Sequence, residues 1–228
     1  MKKQKYFYVL VILLTPLLII TTGMRMALSP VFIHIEYRLP NFPPDQYGFS
    51  LSDRLYWADF SIDFIAGKID KQTFSSATLS DGSPLFNERE ISHMVDVRNL
   101  TVAMLWTWRF LALGFAILLL LHRKEESKNK LFHALSKGAK TTLGIIAVIL
   151  IFLAINFNQL FTAFHRIFFE GDTWLFFYTD SLIRLFPLKF WQDLFIFIGM
   201  LSVGLSLLFI FIDKKVKDTV RSYIFSGD

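Results

Sequence analysis

From Leu100 to Leu121 the chain is an almost unbroken run of apolar residues, and three further runs of the same kind lie at about 9–28, 142–161 and 191–212. A helix of ~20 residues covers the ~30 Å hydrocarbon core of a bilayer. Backbone amides cannot stay unpaired in lipid, so a run of this length and composition has essentially one fold open to it. The fold class expected is therefore an all-α membrane protein, a four-transmembrane-helix bundle forming a single membrane domain over residues 1–228. The overall content of 54% hydrophobic residues agrees with this because it is gathered in those blocks. The first run also resembles a signal peptide, but it exceeds the ~7–15 apolar residues such peptides carry, so it is read as a retained anchor with Pro16 as a possible bend.

Charge placement orients the spans. Segments 1–8, 122–140 and 213–228 hold 13 of the 24 Lys and Arg residues. The positive-inside rule puts these segments, and both termini, in the cytoplasm. The insertion 30–99 and the loop 162–190 then face outward. The net charge of +5 is explained by this orientation, so no nucleic-acid partner is expected and membrane lipid is. The chain has no cysteine, which removes thiolate nucleophiles, disulfides and Cys-built zinc sites from consideration.

Within 30–99, Arg38–Gly48 is a proline-rich connector. Ser50–Gly67 has Leu51, Leu55, Ala58, Ile62 and Ile65 at helix spacing, predicting a short helix. Two readings of that helix stay open: a membrane-surface lid, or packing on the rest of its own loop. Residues 73–86, with Asp81-Gly82, predict a hairpin. Asn87 followed by Glu90 is a capping pair that starts a helix running into the second span. That helix is too long for the bilayer, so its first turns, bearing His93, stand outside the lipid.

Of five histidines, His122 and His133 read as ordinary interface residues and His34 has no evident partner in the sequence. His93 and His165 differ, since one lies just before the second span and one just after the third. Both are then expected at the same membrane face, where two imidazoles can share a site. Their plainer reading is as interfacial histidines hydrogen-bonded to loops. Asp96, three residues after His93, is placed to orient it. Arg109 lies deep in the second span, where an ionisable group is a functional hypothesis by default. It is about 160° round the helix from His93, on a face shared with Arg98. Trp174, Tyr178 and Trp191 fit an aromatic belt. A metal site from His93, Asp96 and His165 is conceivable but unspecific as a pattern, and neither metal nor cofactor is expected. There is no G-x-S-x-G, H-E-x-x-H or phosphate-cradling glycine loop.

The stretches DGSPLFNEREISHMVDVRNL and FHRIFFEGDTWLFFYTDSLIRLFPLKFW resemble the two signature segments of a bacterial four-span family, the lipoprotein intramolecular transacylases (Lit). The resemblance implies that His93 and His165 are catalytic. Asp96, Arg98, Arg109, Asp172, Trp174 and Arg184 are possible supporting residues. It implies a bacterial cytoplasmic membrane enzyme whose site faces outward and whose partner is a diacylated lipoprotein. The implied reaction moves the sn-2 acyl chain of the substrate's S-diacylglyceryl cysteine onto its own α-amine, leaving an N-acyl, S-monoacylglyceryl lyso-form. Donor and acceptor share one molecule, so positioning supplies much of the rate. A base is needed, because an α-amine of pKa ~7.7–8.0 is largely protonated at neutrality. One of His93 and His165 is expected to be that base and the other to orient it or polarise the ester carbonyl, with His93 preferred because Asp96 could stabilise its imidazolium. A metal-dependent membrane hydrolase and a non-enzymatic membrane adaptor are the rival readings.

Overall fold

The computed structural model describes residues 2–225, with side chains from Gln4 to Asp218. The end of the basic tail expected at 213–228 and the side chains of Lys2 and Lys3 lie outside them. The helices are α1 (Lys2–Ala27), α2 (Pro30–Glu36), α3 (Leu51–Ile65), α4 (Lys71–Ser75), α5 (Glu88–Leu121), α6 (Glu125–Phe168), α7 (Ser181–Leu185) and α8 (Leu188–Phe225). Four of these, α1, α5, α6 and α8, are long and apolar enough to cross a membrane. The chain is a multi-pass, all-helical membrane protein, and among the described residues there is no strand.

Two compact units divide the chain. The first comprises Met1–Arg25, Trp106–Ile151 and Phe197–Asp228. Here Gly138 of α6 lies so close to α1 that a Cβ would come within 2.5 Å of Thr15 Cβ and 2.7 Å of the Ile12 carbonyl. The Trp108 indole donates to Thr22 Oγ1 at 3.1 Å, joining α5 to α1. Val11, Leu131, Ala134 and Leu135 form a buried cluster. That cluster explains a difference from expectation, because residues 125–140 are not a loop but the start of α6. Leu131, Ala134 and Leu135 recur at helix spacing and bury against α1, while Glu126 and Lys130 pair at 2.6 Å one turn apart.

The second unit comprises Met26–Leu105 and Phe152–Ile196. In α3 the Ser50 hydroxyl accepts from the Asp53 amide at 3.1 Å and the Asp53 carboxylate from the Ser50 amide at 2.9 Å, a complete capping box. The helix buries Ala58, Ser61, Ile62, Phe64 and Ile65. Phe64 stacks on Phe74 at 4.0 Å and Phe74 on Phe86 at 4.7 Å. It thus packs on its own region, although Leu51 of the expected stripe is exposed. Arg54 is buried in the same helix and donates to the carbonyls of Pro43 and Arg184 at 2.7 and 3.1 Å.

The hairpin expected at 73–86 is a correction. The Asp70 side chain accepts from the Thr73 amide at 2.9 Å and caps α4, which takes the first arm for a helix. What remains is a single bridge, Thr78 to Pro84, around a turn in which Gly82 has φ +83°. Pro84 has no amide to extend a ladder.

Two features position the ends of the long helices. The Asn87 carbonyl oxygen of its side chain accepts from the Glu90 amide at 3.0 Å, and Glu90 Oε2 accepts from the Asn87 amide at 2.8 Å, which is the reciprocal cap expected for α5. In α6, Asn156 is non-helical (φ −159°, ψ 89°), and its side-chain oxygen accepts from the Gln159 amide at 3.1 Å. The span expected at 142–161 is therefore interrupted near its end and recapped. The recapped segment runs on to Phe168, so His165 stands on a helix and not on the loop expected from 162.

Candidate active site

His93 reaches the site from the first turns of α5 and His165 from the last turns of α6. Both imidazoles are buried, at 7% and 6% exposure. Their ring centres lie 5.8 Å apart with planes 21° from parallel. Phe169 touches both, 5.0 Å from His93 and 5.4 Å from His165. Phe176 packs edge-on against His93 at 5.4 Å. His165 is further flanked by Phe161 at 4.1 Å, Phe164 at 5.6 Å and Trp174 at 4.9 Å.

The local sequence explains this cage. Phe161 and Phe169 stand at −4 and +4 from His165, positions that share its face at 3.6 residues per turn, and Phe164 is its neighbour in the chain. Gly171, with φ +67°, turns the chain just past the end of α6, as glycine does at helix ends. The turn is held by the Trp174 indole donating to the Gly171 carbonyl at 3.1 Å, which leaves the Trp174 ring against His165.

The hydrogen bonds distinguish the two rings. His165 Nδ1 lies 2.8 Å from the carbonyl oxygen of Phe161. A carbonyl only accepts, so Nδ1 carries the proton and Nε2 presents a lone pair. His93 Nδ1 is buried and has no partner among the described residues. Both imidazoles lie outside the apolar stretches read as membrane-spanning. Burial holds His93 below the ordinary histidine range, and the neighbouring His165 adds to this. Burial likewise lowers His165, partly offset by the Phe161 carbonyl. Both rings are thus neutral at neutral pH.

The other residues singled out in the sequence fall elsewhere. Asp96 makes no hydrogen bond or ion pair among the described residues, so it is not the orienter of His93. Arg98 donates to the Ile69 carbonyl and lies 4.8 Å over the Phe64 ring, fastening α5 to the insertion. Arg109 stacks at 4.8 Å on Trp106 and belongs to the first unit. Asp172 is exposed, and its backbone carbonyl accepts from Leu175. Arg184 forms a bidentate pair with Asp45 at 3.1 and 3.0 Å over the Phe49 ring, a half-buried structural clamp. Trp174 alone of the supporting set meets a histidine. His34, without an evident partner in the sequence, pairs with Asp59 at 2.7 Å. Among the described residues no third ligand joins the two histidines in a metal-holding group.

Glu90 carries more than its cap. It is 1% exposed, and its second oxygen accepts from the Leu182 amide of α7 at 2.7 Å. Arg89 donates to the Leu175 carbonyl at 3.0 Å and Asn87 Nδ2 to Asp180 at 3.1 Å. The first turn of α5 therefore ties down the loop that carries Trp174 and Phe176. The capping half of this role is local and visible in the sequence; the link to residue 182 is not.

Four spanning helices with a buried imidazole pair beside the insertion at 30–99 define a membrane-integral enzyme class with no thiol or serine elbow. The family model of lipoprotein intramolecular transacylase Lit matches residues 9–191, and the chain belongs to that family of intramolecular acyltransferases. An uncharacterised protein of Aquifex aeolicus is 30% identical over 213 residues, covering 91% of this chain and 93% of its own. The fold matches the in meso structure of the Lit transacylase of Bacillus cereus with a TM-score of 0.77 at 20% identity, over 97% of this chain and all of that one. A structure of the same B. cereus protein with a histidine-to-arginine substitution matches with a TM-score of 0.62 at 18% identity, over 97% of each chain.

Proposed function

We propose that the protein moves the sn-2 acyl chain of a lipoprotein's S-diacylglyceryl cysteine onto the α-amine of the same cysteine, with His165 as general base. The observation that carries the reading is the pair of neutral, buried imidazoles brought together from α5 and α6. His165 Nε2 takes a proton from the substrate's amine as its nitrogen attacks the ester carbonyl carbon. The C–N bond forms and the carbonyl oxygen becomes an oxyanion. Collapse breaks the bond from that carbon to the sn-2 oxygen, and the proton on Nε2 passes to the departing oxygen. An ester and an amine become an amide and an alcohol, with no water and no enzyme acyl intermediate.

The base assigned here differs from the one expected from sequence. Preference for His93 rested on Asp96, which does not meet it, whereas His165 has its tautomer fixed by the Phe161 carbonyl. His93, neutral and stacked beside it, is placed to donate to the ester oxygen as charge develops, the kind of stabilisation an oxyanion needs. Burial among phenylalanines excludes water, which favours transfer to the amine over hydrolysis. The same rings offer apolar surface to acyl chains. Charge asymmetry supports cytoplasmic termini and a site on the outer face of the cytoplasmic membrane.

Mass spectrometry of lipoprotein N-terminal peptides tests this in cells with and without the protein. N-acyl, S-monoacylglyceryl cysteine is expected only when the protein is present. Unmodified diacylglyceryl cysteine with a free amine in both would end the proposal.

A further inference from the structure

At the N-terminal end of α1 the first unit contains a cleft that the acyl-transfer reaction does not use. It has a volume of about 340 Å³ and lies between α1 and the start of α6. Gln4, Lys5 and Tyr8 line it from α1, with Lys130, His133 and Lys137 from α6. Its apolar floor is Ile12 and Ala134. The cleft exists because the two helices meet tightly at one point. Gly138 lets the Ile12 carbonyl and Thr15 approach, and the buried cluster of Val11, Leu131, Ala134 and Leu135 packs the two helices together beside it.

Lys5, Lys130 and Lys137 all line the cleft, and among the described residues no carboxylate does. The side chains of Lys5 and Lys137 have no ion pair or hydrogen bond among the described residues. Lys130 pairs with Glu126 at 2.6 Å, but both side chains are exposed, at 47% and 85%, so the pair is weak and readily exchanged. Lys217 donates to His133 Nδ1 at 3.0 Å, closer than the 3.4 Å from that nitrogen to Asp213. An ammonium has no acceptor, so Nδ1 is the accepting nitrogen and Nε2 carries the proton. His133, Tyr8 and Gln4 line the cleft beside the lysines and add polar groups to it.

We infer that this cleft binds the phosphate headgroup of an anionic glycerophospholipid, with an acyl chain lying along Ile12 on the apolar surface of α1. Positive charge at helix ends is ordinary for orientation. Here the lysines of two helices converge on one concavity with an apolar floor that continues into a span, as basic pockets between transmembrane helices do when they hold anionic headgroups. A free anion would use the lysines but not the floor.

The test uses the full-length protein in neutral detergent and native mass spectrometry with dioleoyl phosphatidylglycerol, dioleoyl phosphatidylcholine or inorganic phosphate. The wild type is expected to retain phosphatidylglycerol over phosphatidylcholine and not to lose it to millimolar phosphate. Lys5→Gln/Lys137→Gln is expected to bind it roughly tenfold less tightly. Lys124→Gln/Lys214→Gln removes the same charge outside the cleft and is expected to bind like wild type. Equal weakening in both double variants would reduce the effect to net charge and overturn the site. Equal retention of phosphatidylcholine, or full displacement by phosphate, would overturn the lipid.

Discussion

The imidazoles of His93 and His165 stack 5.8 Å apart, and only His165 has a hydrogen bond that fixes its tautomer, to the Phe161 carbonyl at 2.8 Å. The two histidines are therefore not interchangeable. Replacing His165 by glutamine removes the base and is expected to lower kcat by about 10²–10⁴-fold. His93→Gln retains an N–H donor and is expected to lose less. Single-turnover rates of the two purified variants on a diacyl lipopeptide check the order.

The pH dependence follows from burial. Both histidines titrate below their ordinary value of ~6.5, so each is already neutral above it. The limb of kcat/KM through neutrality then belongs to the substrate's amine, with pKa ~7.7–8.0. A second break, from protonation of the base, is expected only below 6.5. A profile from pH 4.5 to 8.5 showing a break at 6.5 would mean that the imidazoles are solvated, contrary to the cage of Phe161, Phe164, Phe169 and Trp174.

Asp96 makes no bond to either ring, so Asp96→Asn is expected to keep activity within about threefold of wild type. A loss of a hundredfold in the same assay would restore it as the partner of His93.

Glu90 joins α5 to α7 through backbone amides while buried, and alanine there leaves the Asn87 and Leu182 amides without acceptors. Glu90→Ala is expected to destabilise the fold by roughly 2–4 kcal/mol, read as a lowered thermal midpoint in detergent. An unchanged midpoint would show that the tie is not formed.

Glu36, at the end of α2, is buried, and its carboxyl is raised to about 7, by burial first and then by Asp193. A carboxyl raised in the folded state binds its proton more tightly there than when unfolded. Its contribution to stability is thus present below the ordinary value of about 4.5 and is lost as pH rises through about 7. Thermal midpoints are expected to fall between pH 5 and 8, and Glu36→Gln to flatten that slope. A slope unchanged in the variant would assign it to another group.

What could be read in the sequence was what depends on neighbours in the chain. Four apolar runs dictate four spanning helices because lipid offers backbone amides no alternative partner, and Asn87 with Glu90 announces the start of α5 because both halves of the cap lie within one turn. His93 and His165 were legible as a pair from their places beside two spans and from the motifs around them. Trp174 against His165, Glu90 against Leu182 and Arg184 against Asp45 were not, because each depends on how distant segments pack. The first arm of the expected hairpin failed for a local reason, since Asp70 already caps a helix there. The break at Asn156 had a weak local sign, an asparagine three residues before Gln159, inside a run too apolar to suggest it.

The most direct measurement uses purified protein and a synthetic diacylglyceryl lipopeptide with an isotope label only in the sn-2 acyl chain. The account predicts that all transferred label appears as amide on the cysteine nitrogen of the same molecule, at a rate independent of added unlabelled lipopeptide, and that His165→Gln slows the transfer by about 10²–10⁴-fold. Label released as free fatty acid, or found on the unlabelled peptide, would contradict it.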